Sequence, residues 1–160
     1  MQGEAHVGRI VLGLDGSEGS QAAARWCAGL AGATGARVTV VHGLGRLPEV
    51  FRGTPEAVGT GIGLFHSGAG SWRDELRSRL ERWCGPLREA GVDYRTELVD
   101  DDAVDALLQV ADKDHADLMV VGAQGHGGVV SRLLGGVTYK LAHHARVPVV
   151  IVPIAGTEPT

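Results

Sequence analysis

Cysteine is scarce: the 160-residue chain has two, Cys27 and Cys84. Each stands beside a tryptophan in a helix-patterned stretch, and neither belongs to a C-x-x-C or other metal-ligand spacing. That excludes a disulfide framework and predicts two buried free thiols in a reducing compartment. Basic charge is short as well. A formal net charge of -4 and a pI of about 5.9 supply no field to draw the chain onto nucleic acid or anionic lipid. No apolar run approaches the ~20 residues that span a bilayer, and the opening MQGEAHVGRI lacks the basic start and apolar core of a signal peptide. A cytoplasmic protein is expected, with neither nucleic acid nor membrane as partner. Two phosphate-binding signatures are also missing. There is no G-x-x-x-x-G-K-[ST], and the segment after the first apolar run, LGLDGSEGS, is not the dinucleotide fingerprint.

What is present is a rhythm. Five short apolar runs recur, over residues 9–14, 37–44, 92–99, 117–123 and 147–152. Helical spacing fills the gaps between them: Ala23, Cys27, Leu30 and Ala31; then Trp72, Leu76, Leu80, Trp83 and Leu87; then Val104, Leu107, Leu108 and Ala111; then Val137, Leu141 and Ala145. Asp101 or Asp102 is placed to cap the third of these helices. Strand alternating with helix predicts an α/β fold, a parallel sheet with right-handed crossovers and helices on both faces. The length suits a single domain over 1–160.

Some stretches break the rhythm. Residues 43–70 hold eight glycines and two prolines with little periodicity, which predicts a flexible loop over 44–70. A disordered tail is expected over 154–160. Gly85-Pro86 should kink or stop the second helix. Charged residues alternate with apolar ones over 92–99, as in an edge strand with one wet face. VPVVIV contains Pro148, tolerated at an edge, yet carries no charge to protect that edge, so something should cover it.

Ligands of open parallel sheets sit beyond the C-terminal strand ends, where the winding reverses. Two loops therefore command interest. The first delivers Asp15, Gly16 and Ser17. The second is the segment VVGAQGHGGVVSRLLGGVTYKL, with six glycines in the fifteen residues from Gly122 to Gly136. Glycine brings bare N–H groups close to a ligand, and a helix starting near Gly135 adds its positive dipole end. An anion fits such a pocket, a nucleotide phosphate above all. Bland readings compete at each position. Asp15 could serve only as a turn or cap residue before Ser17, and Gly127 and Gly128 could merely shape a loop. His126 has no evident orienting partner for catalysis.

The spacing Gly122-x-x-Gly125, nine residues, Gly135, followed by VPVVIVP, resembles the universal stress protein family, and the likeness extends back to RIVLGLDGSEGSQAAARWCAGLA. The resemblance implies a Rossmann-like five-stranded parallel sheet in the order 3-2-1-4-5, with a pocket for ATP in members that bind it. Carried over, Asp15 would meet the ribose and the backbone of Val41 would border the adenine. Gly122, Gly125, Gly127, Gly128 and Gly135 would line ribose and phosphates, with Gly136, Val137 and Thr138 at the start of the following helix. The ATP-binding pattern has Ser, Thr or Asn directly after the last loop glycine, where this chain has Gly136; Thr138 is a possible substitute donor. ATP, AMP and cyclic AMP all remain open as ligand, and magnesium would accompany ATP. Three functional classes follow: a nucleotide-binding regulatory stress-response protein, a slow ATPase, or a structural stress protein that has lost its nucleotide. The apolar edge implies a homodimer through the fifth strand, residues 147–153.

Overall fold

The computed structural model describes residues 5–45, 71–124 and 135–154. The loop expected over 44–70, apart from its first two residues, lies outside them, as do Gly125, His126, Gly127, Gly128 and the tail beyond Ile154.

Five strands form one parallel sheet: β1 (Arg9–Gly13), β2 (Arg37–Gly43), β3 (Tyr94–Val99), β4 (Leu118–Gly122) and β5 (Val149–Val152). Their spatial order is β3-β2-β1-β4-β5, so the winding reverses at β1. Register is fixed by apolar pairs. Ile10 lies opposite Val38 on one side and Leu118 on the other, and Val120 opposite Val150. β1 and β4 are buried nearly end to end, as strands covered on both faces must be.

Helices α1 (Glu18–Thr34), α2 (Ser71–Trp83) and α3 (Gly85–Glu89) cover one face, α4 (Ala103–Lys113) and α5 (Gly136–His144) the other. α1 presents Ala23, Ala24, Cys27, Ala28 and Ala31 to the sheet, small side chains that let the helix sit close. Ser17 Oγ accepts from Ser20 N at 3.2 Å to start α1, and Gly35, at φ 72, ends it. α4 is capped by Asp102, whose Oδ1 accepts from Asp105 N at 3.0 Å. The helical pattern expected over 72–87 divides at Cys84, where Gly85 and Pro86 open α3.

Strand limits fall inside the apolar runs for identifiable reasons. Val92 N donates to Leu87 O, which ties it to α3 rather than to the ladder. Pro148 has no N–H to offer, although its carbonyl accepts from Met119 N at 2.9 Å. β3 and β5 are the edges. Cys27 and Cys84 are buried free thiols, and burial pushes each up to about 12; beside Cys84, Glu81 adds to the rise and Arg88 opposes it. Among the described residues, no helix is long and apolar enough to cross a membrane.

Candidate functional site

At the switch between β1 and β4, two loops come together through a chain of contacts. Asp15 follows β1 and accepts from Ser17 N through Oδ1 at 2.9 Å, while Asp15 N donates to Ser20 Oγ at 3.4 Å. This turn holds the carboxylate beside the N-terminus of α1. Gly16 takes φ 80, a left-handed conformation that explains glycine there.

One turn on, the backbone of α1 meets the end of β4. A Cβ on Gly19 would stand 2.1 Å from Gln124 O, and one on Gly122 would stand 2.4 Å from Gly19 C. Gly122 is therefore needed by the approach of helix to strand. From Ala123 the contact passes to α5: Gly135 N donates to Ala123 O at 3.1 Å. Asp15, the first turn of α1, the end of β4 and the start of α5 thus share the C-terminal end of the sheet.

The starts of α1, α4 and α5 differ in chemistry. Side chains of Ser17 and Asp102 accept N–H groups of α1 and α4, but Gly135 has no side chain to offer α5. Among the described residues, no side chain caps the first N–H groups of α5, from Gly136, Val137 and Thr138, at the positive end of its dipole. Gly136 is exposed, and no atom of the described residues lies within 4 Å of the position its Cβ would occupy. Val137 is also exposed. Thr138 is different: it is buried, and its hydroxyl donates to Gly135 O at 2.7 Å. The substitute donor named from the sequence therefore gives its proton to the helix itself.

Val41 ends the apolar part of β2, buried, and its carbonyl accepts from Leu14 N at 3.1 Å. The next residue escaped sequence reasoning. His42 Nδ1 lies 2.8 Å from Leu14 O, and its ring meets that of Trp83 edge-on, with centroids 5.6 Å apart. A polar aromatic at the end of RVTVVHG was the available signal. Gly19 and Gln124 were missed too, because their roles arise from a backbone approach that spacing does not encode.

Of the residues nominated from sequence, Asp15, Gly122, Gly135 and Gly136 are brought to one end of the sheet, with Val41 one strand beyond β1. Gly125, Gly127 and Gly128 lie outside the described residues. A separate groove of about 500 Å³ opens between α4 and α5, lined by Val104, Leu108, Met119, Lys140, His144 and Val147 among others. It includes none of the nominated residues, and its walls lack the uncapped helix start, so we place the candidate site at the strand ends.

Comparison with known proteins agrees with this architecture. The model of the universal stress protein family matches residues 6–153. Universal stress protein Rv2623 of Mycobacterium tuberculosis is 34% identical over 144 residues, 89% of this chain and 46% of that protein. The chain thus spans about half the length of that relative. A Thermus aquaticus universal stress protein encoded in the QAH/OAS sulfhydrylase 3' region is 32% identical over 148 residues, 89% of this chain and 96% of its own. Among solved structures, a universal stress protein in complex with cAMP superposes with a TM-score of 0.68 at 24% identity, covering 94% of this chain and 99% of that one. A family member from Arabidopsis thaliana with AMP bound gives 0.63 at 16% identity, with 96% of each chain covered.

Proposed function

Because the chain belongs to the universal stress protein family, we propose that it binds an adenine nucleotide, ATP or a close relative, at the C-terminal ends of β1, β2 and β4 and acts as a regulatory stress-response protein. The observation that carries this reading is the uncapped start of α5, with exposed Gly136, joined through Ala123, Gln124 and Gly19 to the Asp15 turn. Exposed N–H groups at a helix start complement a phosphate. A carboxylate one strand away complements the hydroxyls of a ribose. The fold's occurrence in structures holding cAMP and AMP supports adenine as the base.

The phosphate end tolerates several ligands. Backbone N–H groups of the exposed Gly136 and Val137 can meet a phosphate, with buried Thr138 behind them, and no side-chain hydroxyl stands out from Gly136 to favour a longer chain. Magnesium, if ATP is the ligand, would arrive with it.

Asp15 gives the test. A carboxylate that serves the ribose acts alike on ATP, ADP and AMP. Asp15→Ala is expected to weaken all three by about 2 kcal/mol, the scale of a hydrogen bond to a charged group. Calorimetry with each nucleotide measures it, with circular dichroism to confirm that loss of the bond to Ser17 N leaves the fold intact. Weakening of ATP alone, and only with magnesium, would assign Asp15 to the metal and favour hydrolysis. A wild-type chain that binds none of the three, and is purified without nucleotide by mass spectrometry, would overturn the reading.

A further inference from the structure

We propose that His42 reads the base at this site, its Nε2 accepting the exocyclic amine of adenine beside a wall formed by Trp83; the inference rests on the nucleotide reading above. Placement comes from topology. The start of α5 follows β4 and the Asp15 turn follows β1, so phosphate and ribose occupy successive strand ends. The step from β4 to β2 crosses two strand spacings, about 10 Å in all, which carries the base to the end of β2. His42 stands there.

The protonation of His42 follows from its partner. Leu14 O, 2.8 Å from Nδ1, can only accept, so Nδ1 carries the proton. In the neutral ring Nε2 is then an acceptor with a lone pair. No described residue bonds that atom, and the side chain is half-buried.

The ring is also held before any ligand arrives. Trp83 meets it at an interplanar angle of 65°, and the indole reaches this position only because residue 16 is glycine. A Cβ on Gly16 would stand 2.4 Å from Trp83 Cζ2. An imidazole fixed by a backbone carbonyl on one side and an indole on another loses little freedom on binding.

Adenine places an amine at C6, a donor that satisfies Nε2. Hypoxanthine and guanine place a carbonyl oxygen there, so lone pair would face lone pair. A site built around one hydrogen bond rejects the analogue that cannot make it. AMP and IMP share ribose and phosphate and differ at this group, so their affinity ratio isolates the contact.

Calorimetry with AMP and IMP on the full chain tests the proposal. Wild type is expected to favour AMP by about tenfold, the effect of one hydrogen bond. His42→Asn keeps an amide donor for Leu14 O but has no atom at the Nε2 position. It should bring the two affinities within about threefold by weakening AMP, while IMP, relieved of the facing lone pairs, does not weaken. Equal affinities in wild type, or an AMP preference retained by His42→Asn, would overturn the role of His42 and leave nucleotide binding standing. Failure of wild type to bind either ligand would instead overturn the nucleotide reading itself. Should His42→Asn lose both ligands, His42→Leu decides, because its side chain fills the place of the ring with neither donor nor acceptor at the Nε2 position. Parity of AMP and IMP there, with a native circular dichroism spectrum, supports the proposal, and a retained AMP preference rejects it.

Discussion

Glycines that look alike in the sequence stand in different surroundings. Gly136 is exposed at the first position of α5, and a serine side chain there meets none of the described residues within 4 Å of its Cβ. Gly136→Ser should therefore tighten ATP binding by about 0.5 to 1.5 kcal/mol, the net effect of one added hydrogen bond. Calorimetry against wild type checks it, and unchanged affinity would separate this position from the phosphates. Gly122 is the opposite case. Its Cβ would collide with the backbone of Gly19, which cannot rotate away as a side chain would. Gly122→Ala is expected to destabilise the fold by about 3 kcal/mol, at the upper end of ordinary overpacking. Gly135→Ala, whose Cβ would come no nearer than 3.4 Å to Ala123 O, should cost far less. Urea unfolding of the two variants side by side would show the contrast.

Element ends depend on carboxylates that accept backbone N–H groups. Asp102 caps α4, and Asp102→Ala should lower stability by about 1 kcal/mol in urea unfolding. Asp117, just before β4, accepts from both Gly8 N and Arg9 N at 2.9 Å and so joins the starts of β1 and β4. Those two bonds, first Gly8 and then Arg9, hold its carboxyl below the ordinary value of 3.8. Asp114, at the end of α4, is pushed up by burial, but bonds from Thr39 and Arg95 outweigh that and hold it low as well. Both groups bind protons less readily folded than unfolded. Their stabilisation is thus complete above the unfolded pKa of about 4 and is lost as pH falls through the folded values. The urea midpoint should drop on acidification below about pH 4, and Asp117→Asn should show a shallower drop. An identical acid profile for the variant would remove Asp117 from the account.

Assembly is a matter of the exposed edge. β5 borders the sheet with Val149, Val150 and Ile151 half-buried and no charged side chain within the strand. Such an edge invites pairing with a second copy about a two-fold axis. The sequence leads one to expect that of Val150 and Ile151 one points across an interface and the other into the core. Because the sheet is covered on both faces, Val150 packs at the margin of the α1 core and Ile151 at the margin of the α4–α5 core. A lysine at either position should then weaken a β5-mediated dimer through the rim of its own face. Sedimentation is expected to show a wild-type dimer and a shift toward monomer with native circular dichroism in at least one variant. A wild-type monomer at micromolar concentration would end the proposal of a β5 dimer.

The sequence alone determined the alternation of strand and helix, the break at Gly85-Pro86, and the two loops that hold Asp15 and Gly135. Hydrophobic period, proline and glycine act locally, and local chemistry is legible along a chain. The resemblance to a known family supplied the strand order that the hydrogen bonds then bore out. Only the tertiary structure decided that Gly122 answers to Gly19, that Thr138 turns its hydroxyl inward, and that His42 lies between Leu14 and Trp83. Thr138 bonds within the first turn of its own helix, while the first and last of these contacts join residues of separate elements. Their partners are chosen by how helices pack on a twisted sheet, where a single Cβ decides whether two backbones can meet.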